Sequence, residues 1–326
     1  MTNFPCRAAI AAGATLTVGA AMPAAASAAP GVITGASGVQ HAYVAAPGTD
    51  SDLTISGANG RWVFADAGVS EITVNSAECS HGASLNVVTC ASKFGPLAQE
   101  WIYVALGDGD DRAQIAESAF EIDPRAGFFE LKGGDGEDYL AAHSRGNVKL
   151  NGGAGGDVLI GGAGIDTFLG GAGNDLMRGG AGADIVDGGP DRDSFTYASE
   201  GRTKGVRAVL DGVTPSGADG VDGDGDRLTA VEDVSGTPYT DILIGNAANN
   251  VLRGNGGVDQ LTGLAGDDTL IATGGPSWLD GGDGNDLLQA KNTFKDMLGC
   301  GTGADTARVD PTELFVPFAS CETLTS

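Results

Sequence analysis

Nine residues recur without a gap from Gly152 to Asp187, as GGAGGDVLI, GGAGIDTFL, GGAGNDLMR and GGAGADIVD. No other feature restricts the possible folds as much. One repeat of this length cannot bury an apolar face alone, so repeats must stack and share a core, which is the mark of a solenoid. Written G-G-x-G-x-D-x-U-x, the eighth position is apolar every time: Leu159, Phe168, Met177 and Val186, followed by Phe195. A disordered glycine-rich linker has no reason to keep that spacing. A short strand ending each repeat sends the eighth side chain inward, and stacked repeats turn these side chains into a ladder. The expected fold is all-β, a parallel β-solenoid.

The other two fixed residue types work against such a stack. The chain holds 55 glycines in 326 residues, where average usage of about 7 % gives roughly 23. Each costs about 0.5–1 kcal/mol relative to alanine in regular structure, and in return permits tight turns in which carbonyl oxygens face one point. Coils in a β-stack lie about 4.8 Å apart, so sixth-position aspartates form columns of like charge. Two unit charges about 5 Å apart repel by roughly 3 kcal/mol at an effective dielectric of about 20. A one-residue apolar ladder does not offset both costs. A cation between the turns does, and hard carboxylate and carbonyl oxygens in flexible geometry select calcium over zinc or copper.

The same period extends in both directions. GGPDRDSFT follows at 188–196, GGDGEDYLA starts at Gly133, and LGDGDDRAQ starts at Leu106, with Ile122 and Leu131 keeping the eighth position in between. A first repeat block is therefore expected over 106–196, strict over 152–187. A second is expected over 236–308, where Leu243, Leu252, Leu261, Leu270, Leu279 and Leu288 fall nine apart. An acidic insertion, 197–235, separates the blocks, and 309–326 forms a C-terminal cap. Within the insertion, DGDGDRLTAVED places Asp222, Asp224, Asp226 and Asp233 as in an EF-hand loop. Arg227 stands where that loop needs glycine, and aspartate replaces the bidentate glutamate, which favours a solvated acidic loop.

The consensus resembles that of the RTX, or hemolysin-type, calcium-binding repeat family. The resemblance implies a parallel β-roll in which two nonapeptides complete one coil and calcium lies between turns of successive coils. Carried over by position, it sets Asp157, Asp175 and Asp193 on one edge, with Asp166 and Asp184 on the other. In the second block Asp268 and Asp286 share an edge that Asn250 precedes, while Asp259 lies opposite, after Asp241. Asp138 and Asp305 match the motif beside one-residue insertions, and Ser277 removes the ligand from its turn.

The N-terminus has the pattern of an export signal. Arg7 precedes the small apolar run AAIAAGATLTVGAAMPAAASA, and Ala26 and Ala28 make an A-x-A-like cleavage site before Ala29. A short buried helix is the other reading, opposed by Gly13, Gly19 and Pro23. With residues 1–28 removed, an extracellular protein is expected. In an oxidising compartment Cys79, Cys90, Cys300 and Cys321 form an even set. Three pairings are possible, besides four buried thiols. Cys79–Cys90 and Cys300–Cys321 are favoured because each closes a short local loop. Residues 29–105, with runs such as RWVFAD and SLNVVTC, have the alternation and turn residues of a small β-rich region.

Composition narrows the function. A net charge of −25, from 43 acidic against 18 basic residues, repels nucleic acid and anionic lipid. No membrane insertion is expected, since no other stretch is apolar enough to span a bilayer. No H-E-x-x-H, G-x-S-x-G or cofactor loop is present, so an enzyme is not expected. A calcium-binding structural, scaffold or adhesive protein fits, with calcium ions and cell-surface or matrix glycans as partners. The rival is a secreted polysaccharide-acting enzyme with an unrecognised carboxylate pair.

Overall fold

The computed structural model describes residues 31–36, 40–58, 61–76, 79–82, 84–91, 101–117, 119, 128–143, 145–198, 202–212, 225–290, 292–310 and 321–325. The expected export segment, Ile122, Asp222 and Asp224 lie outside them. Among the described residues the regular elements are strands, with no α-helix and none long and apolar enough to cross a membrane. The chain divides into two compact units, Met1–Asp175 and Leu176–Ser326.

In the first unit two parallel sheets wind together as a roll. One face carries long strands, Trp101–Asp108, Phe128–Asp135, Val148–Ala154 and Thr167–Ala172. The other carries short ones, Arg112–Ile115, Tyr139–Ala142 and Val158–Ile160. Register puts the inward residues over one another. Tyr43, Val104, Leu131, Leu150 and Phe168 make one column, and Leu53, Ala113, Leu140 and Leu159 make the other. All are fully buried. Burial of each large apolar side chain contributes about 1.5–3 kcal/mol, which is what holds a chain so rich in glycine together.

The stretch between 106 and 133 departs from the expected clock. Strand Phe128–Asp135 pairs directly with Trp101–Asp108, Leu131 opposite Val104. These 27 residues thus complete one coil instead of one and a half. Parity is the physical reason. By the nonapeptide period alone, three repeats would deliver the chain to the opposite face, whereas these 27 residues bring it back to the same one.

The β-rich N-terminal region continues the roll. Gln40–Val44 pairs in parallel with Trp101–Asp108, and Asp52–Ala58 with Arg112–Ile115. Beyond them the strands turn antiparallel, and Cys79 faces Cys90 across one such pair in a disulfide. Trp62 lies edge-on to Phe129 at 5.6 Å, so the core runs on without a seam.

The second unit has one unbroken face. It runs through Leu176–Arg178, Ser194–Thr196, Asp233–Ser235, Val251–Arg253, Thr269–Ile271, Leu287–Ala290, Thr306–Val309 and Thr323–Thr325. The opposite face is in two pieces. Ile185–Asp187 pairs with Arg227–Thr229, and Arg207–Val209 begins a separate sheet through Ile242–Ile244, Gln260–Ala265, Trp278–Asp283 and Met297–Thr302. The segment expected as an acidic insertion thus supplies three strands to the stack. Leu228, Val234 and Ala208 stand in eighth-position columns although the residues before them do not keep the G-G-x-G pattern. The disulfide Cys300–Cys321 lies in this unit.

Candidate metal centre

The sixth position of each repeat ends a turn and begins a strand, so its side chain points back under the turn. One carboxylate oxygen has a fixed duty there. Oδ1 of Asp157 accepts the N–H of Asp138, and Oδ1 of Asp175 accepts the N–H of Asp157, each at 2.8 Å. In the second unit Asn250 donates to Asp268, Asp268 to Asp286 and Asp286 to Asp305, at 2.7, 2.8 and 2.8 Å. The one-residue insertions at Asp138 and Asp305 therefore do not break the stack. Asp241 donates to Asp259 at 3.0 Å on the opposite edge. All twelve residues matched by position (Asp138, Asp157, Asp166, Asp175, Asp184, Asp193, Asp241, Asn250, Asp259, Asp268, Asp286, Asp305) are 0–2 % exposed.

The second oxygen distinguishes two kinds of turn. In closed turns it is satisfied from within. Gly162 N–H donates to Oδ2 of Asp166 at 2.8 Å. Asp241 receives the Thr237 N–H and hydroxyl as well as Val206 N–H. Asn246 N–H reaches Asn250 Oδ1 at 2.8 Å. In open turns Oδ2 is buried without a hydrogen-bond partner, at Asp138, Asp157, Asp259, Asp268, Asp286 and Asp305. Most open turns follow the long strands. There the ladder runs on into the turn and draws the second-position amide away from the carboxylate; Gly153, for example, takes φ 125°. A buried unpartnered carboxylate oxygen is costly enough that native structures rarely keep one without an ion or water.

Four rungs escaped the motif. Asp111 takes the sixth place in LGDGDDRAQ, which keeps Gly107 and Gly109, and donates to Asp138 at 2.9 Å; Asp296, in a turn without glycine, accepts from Ser277 at 2.6 Å. Asp226, expected in a solvated loop, is 1 % exposed and accepts the N–H of Asp184 at 2.8 Å. Glu232 accepts from Asp193 at 2.9 Å. Ser277 keeps the hydrogen bond from Asp259, at 3.0 Å, and has no second oxygen. A further ladder runs outside at the fifth position, treated as free in the consensus. Asn249 accepts from Asp267, Asp267 from Asn285 and Asn285 from Ala304, at 2.8, 2.7 and 3.0 Å.

Burial holds these carboxyls well above the ordinary range. Asp138 and Asp175 are pushed up to about 6 and Asp259 and Asp268 to about 7, desolvation leading and neighbouring aspartates adding to it. The cost of charge is thus local to the columns; on Asp241 the Arg202 guanidinium offsets part of it.

The family comparison agrees with this geometry. The RTX calcium-binding nonapeptide repeat matches in four copies, over residues 132–168, 160–195, 235–270 and 262–291. These tracts are RTX repeats. Among curated proteins none matches the chain. RTX repeats bind calcium, and the donor set fits that ion: buried carboxylate oxygens lacking partners, close to glycine carbonyls. What calcium supplies is positive charge between coils. The chain's part is to hold Oδ1 on the neighbouring coil so that Oδ2 stays aimed at the turn.

The raised carboxyls give a signed pH dependence. A folded pKa above the unfolded one means stability is fully present below the ordinary aspartate pKa and is lost as pH rises through about 6–7. In chelator the melting temperature is expected to be higher at about pH 5 than at about pH 8, with calcium reversing the order because it binds the ionised form. Circular dichroism melts test this. A chelated protein more stable at the higher pH contradicts it.

Proposed function

We propose that this protein is an extracellular calcium-stabilised β-roll that orders on meeting calcium outside the cell and serves as a rigid scaffold or adhesive surface. The observation that carries the reading is the set of buried Oδ2 atoms with no partner at Asp138, Asp157, Asp259, Asp268, Asp286 and Asp305. These are the proposed anionic ligands; Asp175, Asp184 and Asp193 complete the set by position. Asp166, Asp241 and Asn250 serve instead as hydrogen-bonded rungs that need no ion. The export-signal pattern and the two disulfides support an extracellular site of action.

The adhesive side of the reading draws on one surface of the second unit. Trp278 is half exposed beside a groove of about 370 Å³, flanked by Gln260, Lys295 and Thr240. An open indole with amide, amine and hydroxyl neighbours suits stacking against a sugar ring. Binding to a panel of insoluble polysaccharides, with Trp278→Ala beside the wild type, tests it. At least a tenfold weakening in the variant is expected. Equal retention of both proteins counts against glycan contact, and release of reducing sugar would favour the polysaccharide-acting enzyme.

A further inference from the structure

Outside the matched repeats, the loop 46–51 meets the turn 106–111. Its sequence, APGTDS, has serine where the motif has aspartate and no paired glycines. The structure stacks it as a rung all the same. Ser51 N–H donates to Asp111 Oδ1 at 2.6 Å, and Arg112 N–H donates to the Ser51 carbonyl at 2.8 Å. On the outer side Gly48 N–H reaches Asp108 Oδ1 at 2.7 Å.

The other oxygen of Asp111 is buried and has no partner, in a residue 2 % exposed. Close to that turn stands a second carboxylate. A Cβ on Gly109, which has φ 122°, would lie 2.8 Å from Asp50 Oδ1 and 3.4 Å from the Thr49 carbonyl oxygen. In the next two coils the same place, above Gly136 and Gly155, is taken by the carbonyls of Gly109 and Gly136. At the first rung the Asp50 side chain thus substitutes for a backbone oxygen. Asp66, also buried nearby, has its oxygens engaged by the N–H groups of Asp52 and Gly68 and by the Tyr43 hydroxyl. The charges of Asp138, Asp50 and Asp66 bear on Asp111 together with its burial.

The geometry points to a calcium site between residues 49–51 and 109–111, with Asp111 and Asp50 as anionic ligands, that joins the N-terminal β-rich region to the first coil. It rests on the calcium reading of the repeats and extends it to a loop that carries no repeat motif. Calcium bound here couples the strands Asp52–Ala58 and Arg112–Ile115, so that the antiparallel region orders with the roll.

The test is calcium titration of the full chain by calorimetry, with hydrogen exchange read by mass spectrometry. Asp111→Asn and the more conservative surface change Asp50→Asn are each expected to lose one equivalent of calcium. Calcium-dependent protection of residues 52–55 and 112–115 should vanish, while that of 158–160 persists. Asp50 is exposed, so its variant keeps the test valid should Asp111→Asn fail to fold. Wild-type stoichiometry and protection in Asp50→Asn overturn this site and leave the repeat reading standing. A wild-type chain that takes up no calcium overturns both.

Discussion

Chelation of calcium is expected to unfold the repeat tracts. Unpartnered buried oxygens occur at Asp111, Asp138, Asp157, Asp259, Asp268, Asp286 and Asp305. Extracellular calcium modules have dissociation constants of about 10⁻⁴–10⁻³ M, so at about 1 mM calcium each site contributes roughly 0.4–1.4 kcal/mol. At one ion per bare oxygen, the upper limit, seven would together give roughly 3–10 kcal/mol, which is the scale of a whole domain's stability, about 5–15 kcal/mol. Individual sites on this scale are weak, so the row together is expected to decide whether the fold forms. At about pH 8, where the carboxyls are ionised, far-ultraviolet circular dichroism should lose much of its β signal in chelator and regain it on adding calcium, with a steep dependence on concentration. A spectrum indifferent to chelator would refute the coupling.

Replacing Gly152 by alanine is expected to be strongly destabilising. Its new Cβ would overlap Asp157 Oδ2 and stand 2.6 Å from the Gly170 carbonyl oxygen, so the turn must shift to admit it. Overpacking of this kind costs about 1–3 kcal/mol, and displacing Oδ2 should also abolish calcium uptake at that rung. Gly156 lies four residues along, where a Cβ meets only the Asn174 carbonyl oxygen, at 3.2 Å. Gly156→Ala should stay within about 0.5 kcal/mol of wild type. Equilibrium denaturation in excess calcium compares the two. Equal midpoints would show that the first glycine is not there to admit the carboxylate.

Much of this was readable in the sequence because the period of the residues is the period of the structure. The eighth-position column from Leu243 to Leu279 needs nothing but stacking, and an apolar residue every ninth place announces it. The disulfide partners were legible as well, each pair closing a short loop. Less visible were rungs such as Glu232 and Asp226. A rung needs one acceptor at the right height beneath an amide of the neighbouring coil, and RLTAVEDVS meets that need without a single glycine. Open and closed turns could not be told apart from the consensus either. GGAGGD and GGAGID differ at one place, yet Asp157 keeps a bare oxygen and Asp166 does not.

The sequence alone determined the architecture, the columns of apolar and acidic residues, and the oxygen-rich chemistry that selects calcium. Those follow from composition repeated at fixed intervals, which any stacking must respect. The tertiary structure decided which coil lies above which, and therefore which carboxylates are already satisfied by a neighbour's amide. That choice rests on parity and on strand length, both properties of the assembled coil: 27 residues return the chain to the face it left, and most strands that run on into their turns are followed by a bare oxygen.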